Sequence, residues 1–262
     1  MKHLISRFAF IPILSVGLLA ITFTALNWIG EPVLAEGGDI STSAATARVW
    51  VAHLAPFSNT ITGTSVSVLV NGSPVLTDFK YPDTSGGYVD VPSGLPLTIQ
   101  IVPTGVTTPA ISATVTLTET EYTVAAIGNG ASEFQKLDLL LLNDDNTAPT
   151  LGNGKVRVVH AAPFASIPAL TEVDVLVDGT QVLTDFGYKE VSPYLEIPAG
   201  PHDVEVLALG GLLSITDTLV LTESVVVTVF AIGDNDNQPV AVLPIISREY
   251  TARTYFPFVR KN

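Results

Sequence analysis

Apolar residues along this chain fall in short runs that alternate with polar ones and are broken by Gly, Pro, Asn and Asp. Beyond residue 35 no stretch keeps a helical period, so the pattern predicts strands throughout. The most legible run is Val66-Ser-Val-Leu-Val-Asn-Gly-Ser-Pro-Val-Leu-Thr-Asp-Phe79. It returns as Val173-Asp-Val-Leu-Val-Asp-Gly-Thr-Gln-Val-Leu-Thr-Asp-Phe186. Asn71-Gly72 and Asp178-Gly179 suit a type I′ turn, because both central residues of that turn need positive φ. A two-residue turn sets Val70 opposite Ser73 and Val68 opposite Val75. One hairpin face then reads Val66, Val68, Val70, Val75, Thr77 and Phe79. The second copy reads Val173, Val175, Val177, Val182, Thr184 and Phe186. Each buried Val or Phe contributes about 1.5–3 kcal/mol, so this face is expected to meet a core. A leucine pair on the other face of each copy predicts partial cover there too.

The duplication extends beyond the hairpin. Arg48-Val-Trp-Val-Ala-His-Leu-Ala-Pro-Phe57 matches Lys155-Val-Arg-Val-Val-His-Ala-Ala-Pro-Phe164 at an offset of 107 residues. The offset is 106 at Val91-Pro-Ser-Gly94 against Ile197-Pro-Ala-Gly200, and 105 at Thr123-Val-Ala-Ala-Ile-Gly128 against Thr228-Val-Phe-Ala-Ile-Gly233. Drift confined to the segments between strands fits a duplicated domain with tolerant loops. The first copy reads as eight strands near residues 48–52, 66–70, 75–79, 87–91, 97–102, 113–117, 122–127 and 137–142. The second reads as strands near 156–159, 173–177, 182–186, 194–197, 203–207, 217–221, 225–232 and 240–244. The expectation is an all-β chain of two tandem immunoglobulin-like or transthyretin-like β-sandwiches, residues 47–142 and 154–246. A turn-rich linker at 143–153 joins them, and each copy is long enough to bury a core of its own.

The ends read differently. Residues 1–35 look like a signal peptide or a membrane anchor. Lys2 and Arg7 precede an uncharged apolar run from Phe8 to Ile29, and Val33-Leu-Ala35 offers the small residues a signal peptidase reads. The run reaches the roughly 20 residues needed to span a bilayer, so cleavage and retention both stay open. Residues 36–46 form a small, polar, flexible leader. Residues 247–262 form a tail that ends Arg253-Thr-Tyr-Phe-Pro-Phe-Val-Arg-Lys-Asn262.

Composition narrows the function classes. With 47% hydrophobic and 14% charged residues, the chain is too apolar for disorder. The absence of cysteine removes disulfides, thiolate metal sites and a catalytic thiol. A formal net charge of −13 argues against a nucleic-acid partner, which needs clustered Lys and Arg.

Candidate chemistry is sparse. His53 and His160 share strand parity with the inward valines, and are read as structural histidines that bond loop carbonyls. Asp78 and Asp185 end strands in Thr-Asp-Phe and are read as turn residues. Asp144-Asp145-Asn146 and Asp234-Asn-Asp-Asn237 are oxygen-rich loops that calcium could use, but neither has the spacing of an EF-hand loop. Trp50 lies on the parity opposite Val49 and Val51. It is either a stacking residue for a sugar or partner, or covered by another strand. Signatures of zinc proteases, serine hydrolases, phosphate loops and dinucleotide folds are all missing from the sequence. The reading names no catalytic residue, no cofactor and no metal.

Four motifs fall in the same order in both copies: Arg/Lys-Val-x-Val-x-His-x-Ala-Pro, the Val-Asp-Val-x-Val-Asp-Gly hairpin, the Tyr-x-x-Ile-Pro-Ala-Gly turn, matched most fully by Tyr194 and Ile197-Pro-Ala-Gly200, and the Thr-Val-x-Ala-Ile-Gly strand. Together they resemble the bacterial DUF4397 family, exported domains of unknown function often found in tandem. The second copy is the closer match. The first departs at Trp50, where the second has Arg157, and at Asn71 in place of Asp178. The resemblance implies an exported, β-rich, surface-associated protein and brings no catalytic residues. The expectation is therefore a secreted or cell-surface, non-enzymatic spacer, adhesion or binding module. Its partner would be an unknown extracellular protein or glycan, and the membrane would be met only through the N-terminal segment. The alternative is a carbohydrate-binding or carbohydrate-active domain using the acidic loops or Trp50.

Overall fold

The computed structural model describes residues 45–211 and 213–249. The expected export segment, nearly all of the leader and residues 250–262 lie outside the described residues. Both repeats fall within one compact unit. In the first, β1 (Thr46–His53), β4 (Val89–Pro92), β7 (Glu121–Ile127) and β8 (Asp138–Asn143) form a sheet in the order β4-β1-β7-β8. A second sheet, β3-β2-β5-β6, is built from β2 (Val66–Val70), β3 (Ser73–Phe79), β5 (Pro96–Pro103) and β6 (Ile111–Thr116). The second repeat copies this plan. Its β9 (Asn153–His160), β12 (Leu195–Pro198), β15 (Val225–Ile232) and β16 (Ala241–Glu249) are ordered β12-β9-β15-β16. Its β10 (Val173–Val177), β11 (Thr180–Phe186), β13 (Gly200–Ala208) and β14 (Leu213–Leu221) are ordered β11-β10-β13-β14. The all-β reading and the two tandem sandwiches hold. The last strand runs to Glu249, three residues into the segment expected to be tail.

Neighbouring strands are antiparallel except β1 with β7 and β9 with β15, which run parallel. These four strands are buried along most of their length, polar residues such as Lys155 and Arg157 included, because both of their faces are covered. In β1 and β7, Val49, Tyr122, Val124 and Ala126 pack inside the first sandwich. Ala52, Ala125 and Ile127 point the other way, into a second core shared with Val159, Phe230, Ile232 and Ile245 of the other repeat. The sheets thus stack four deep, with the two mixed sheets back to back in the middle. Burying Leu54, Ile127, Val159, Phe230 and Ile232 in that shared layer contributes on the order of 10 kcal/mol, an upper figure relative to an extended chain.

Polar contacts across this layer repeat by a pseudo-twofold relation. Asn129 and Asp234 occupy equivalent positions and meet each other at 3.0 Å, which marks the axis. Gln135 Nε2 donates to Pro163 O at 2.7 Å, and its equivalent Gln238 donates at 2.8 Å to Ser58 O, two residues beyond the matching Pro56. The motif glycines Gly128 and Gly233 open the loops that make these bonds. Both have φ near +90°, and a Cβ on either would stand 2.1 Å from a backbone oxygen. The repeated Ile-Gly pair therefore has a steric cause.

The hairpin departs from its expected register. Val70 faces Ser73 as the turn dictates, but Val68 faces Leu76 and Val66 faces Phe79. The second copy slips identically. One bulge passes Val75, the next passes Asp78, whose φ is +53°; Asp185 matches it at +50°. The inner face is accordingly Val66, Val68, Val70, Leu76 and Phe79, while Val75 and Val182 turn outward. Placing Val75 and Thr77 inward was wrong because a strict two-residue alternation does not survive an inserted residue.

Candidate functional site

His53 and His160 sit where the sequence places them, buried at the end of β1 and β9. Each Nε2 donates to a loop carbonyl at 2.8 Å, Thr64 O and Thr171 O respectively. Each Nδ1 accepts from a backbone amide two residues on, Ala55 N at 3.4 Å and Ala162 N at 3.3 Å. Phe57 and Phe164 stack on the rings. Burial pushes both imidazoles below the ordinary histidine range. With both nitrogens engaged by backbone, neither ring is placed to move a substrate proton.

The acidic loop after β8 is a clasp between the repeats. Asp144 is fully buried and accepts from Arg157 Nη2 at 2.6 Å, Thr123 Oγ1 at 2.7 Å and Tyr88 OH at 2.7 Å. Arg157 also donates to Asn143 O and Thr228 Oγ1, and its guanidinium lies 4.6 Å from the Tyr194 ring centre. Asn146 donates to Tyr88 OH and Glu121, and accepts from Ser247 Oγ at 2.6 Å. Glu121 in turn receives Arg48 and Arg248. Asp145 takes Lys155 Nζ at 3.0 Å, and the Thr147 and Lys155 bonds hold its carboxyl down at about 2. In the other oxygen-rich loop Asp234 is equally committed. Asp234 accepts from Asn129, from Asn237 through backbone and side chain, and from Gln238 N. Among the described residues no group of three or more His, Asp or Glu side chains is arranged to hold a metal ion.

Trp50 faces this seam. It packs edge-on to Tyr88 at 5.5 Å and against the shared core, with its indole N–H buried and without an acceptor among the described residues. Arg157 occupies the equivalent slot over Tyr194. The sequence shows that mismatch, and Tyr194 as a motif residue; the seam roles of Tyr194, Tyr88, Thr123 and Ser247 depend on contacts between distant strands.

A large apolar space lies inside the first sandwich. A cavity of about 390 Å³ runs between its two sheets, walled by Val68, Leu97, Ile99, Val124, Ala126 and their neighbours. It reaches outward between the edge strands β3 and β4, where Asn71, Ser73, Val75, Val89, Asp90 and Pro92 form its rim. Val75 and Val89 stand 49% and 42% exposed there. Protein interiors seldom keep voids larger than a water molecule, since unmatched lining atoms forfeit dispersion contacts. At about 24 cal/mol per Å³ such a space costs several kcal/mol if the walls could otherwise close.

The second repeat closes the equivalent rim. His202 stands at the position of Leu97 and bridges the two edges. One ring nitrogen is 2.7 Å from Asp178 Oδ2 at the hairpin tip, the other 2.8 Å from Pro198 O on β12. Asp178 holds the His202 pKa above its usual value, with the Pro198 carbonyl adding to the effect. In the first repeat the corresponding groups are Asn71, Pro92 and an aliphatic side chain, and no such latch forms between them.

A family model described as "Domain of unknown function (DUF4397)" matches residues 47–167 and 164–249. No curated protein matches the chain.

Proposed function

The chain belongs to the DUF4397 family of domains of unknown function, and from that premise we propose that it is an exported, non-enzymatic binding or spacer module. Two sandwiches fused through a common core present their outer surfaces at a fixed mutual orientation. The observation that carries this reading is the commitment of the buried candidate groups to the architecture. Both buried histidines are spent on loop backbone, and the buried acids Asp144 and Asp234 are spent on tying the repeats together. Export rests on the basic start and apolar run of residues 1–35. The carbohydrate reading loses support, because Trp50 lies against Tyr88 at the seam and both acidic loops are bonded to protein partners.

The test is a panel of glycoside, ester and peptide substrates given to the purified protein, with cell fractionation in parallel. No turnover and recovery outside the cytoplasm are expected. Turnover abolished by His53→Gln or Asp144→Asn with the fold intact would overturn the non-enzymatic reading.

A further inference from the structure

We infer that the cavity of the first sandwich is a binding site for a neutral aliphatic molecule, admitted between β3 and β4. This deepens the proposed function by naming a ligand class, and it rests on the reading of the molecule as a non-catalytic binder. Three observations converge. The first is size: an aliphatic cavity of about 150 Å³ stays dry and accepts the six carbons of benzene, so 390 Å³ by proportion takes about fifteen carbons.

The second is the chemistry of the walls. Apart from the rim, the only polar side chain on the lining is His53, and both of its ring nitrogens are already engaged by backbone. A ligand therefore finds no partner for a polar or charged group in the interior. At the rim the one formal charge is the Asp90 carboxylate, on a chain of net charge −13, which opposes an anionic head group. A neutral head such as a hydroxyl can bond Asn71 or Ser73 at the mouth, while a fatty-acid carboxylate meets repulsion.

The third is the contrast with the second repeat, built from the same motifs. There His202 ties Asp178 to Pro198 O across the equivalent opening. At the same places the first repeat has Leu97 and Asn71, which lengthen the apolar wall and leave the edges untied. The opening is thus a difference between two copies of one design.

The experiment displaces a fluorescent apolar probe, N-phenyl-1-naphthylamine, from the purified full chain with 1-octanol, 1-decanol, 1-dodecanol and dodecanoate. Expected is saturable displacement by the alcohols, tightening about four-fold per added methylene until the cavity is full. Dodecanoate should bind at least ten-fold more weakly than dodecanol. Ala126→Phe fills the space and should reduce binding at least ten-fold with an unchanged or higher melting temperature. The double substitution N71D/L97H grafts the latch of the second repeat and should also reduce binding, without touching residues 1–35, so any probe held by that apolar segment stays constant. Lack of saturable displacement in the wild type would overturn the inference, as would equal binding of dodecanoate or unaltered binding in both variants. Those results leave the spacer reading standing. Chemical conversion of the bound alcohol, followed by chromatography, would instead sink the non-enzymatic reading and leave the site in place.

Discussion

The two repeats share strand order, bulges, turn chemistry and a buried histidine, yet they meet the seam with opposite chemistry. On the first side Trp50 packs against Tyr88; on the second Arg157 lies over Tyr194. The partner strands compensate: Asp144 follows β8, and Ser247 takes the matching place on β16. A charge introduced in one copy is answered by an acid in the other. A duplicated chain is free to do this, whereas identical subunits would have to repeat each change twice. The pair is thus specialised for joining and cannot be read as two equal beads.

The strongest break of that comparison is Asp144→Ala, which leaves Arg157 buried and unpaired. A loss of about 3–5 kcal/mol in urea unfolding is expected. Making the seam apolar on both sides, with Arg157→Met added to Asp144→Leu, should cost less than half as much; Tyr88 and Thr123 still lose an acceptor. Next come Gly128→Ala and Gly233→Ala. Each should cost about 3 kcal/mol, and equally, because both Cβ atoms would meet a backbone oxygen from the same left-handed conformation.

A smaller effect separates the copies by pH. His53 and His160 are held neutral below the ordinary histidine pKa of about 6.5, so on acidification the unfolded chain takes up protons first. Stability should fall as pH drops from 7.5 through 6.5 to 5.5. The carboxylates with lowered pKa begin to matter only at more acidic values. His202 acts in the opposite sense, since its raised pKa gives stability that is complete below 6.5 and lost as pH rises through the folded value. His202→Asn should therefore steepen the decline of melting temperature between pH 7.5 and 5.5. The smallest change is Lys189→Met. Its half-exposed pair with Asp138 has Pro82 at the equivalent first-repeat position, and its removal should cost no more than about 0.5 kcal/mol by denaturant midpoint.

All sixteen strands were legible from alternation and turn residues, and so were the burial and backbone bonding of His53 and His160. The register of β3 and β11 was not, because Val75 and Asp78 look like ordinary members of an alternating run until the bulges are seen. The seam was hidden for another reason. The meaning of Trp50 against Arg157 depends on Tyr88, Asp144 and Tyr194, which only the tertiary fold brings alongside. The cavity leaves no motif at all, since empty volume is not written in any residue. A trace existed nonetheless in the replacement of Leu97 by His202 at an offset of 105.

The parallel pairing of β1 with β7 also sets the tempo of folding. Arg48 finds its partner Glu121 only after 72 intervening residues have been made, and in the second repeat 70 residues separate Lys155 from Val226. The local hairpins β2–β3 and β10–β11 can close in microseconds, whereas these long-range ladders must pay the loop entropy before they gain any contact. A chain emerging N-terminus first would hold β1 with only the short β4 beside it until most of its repeat had appeared. The first strand to arrive is among the last to be secured.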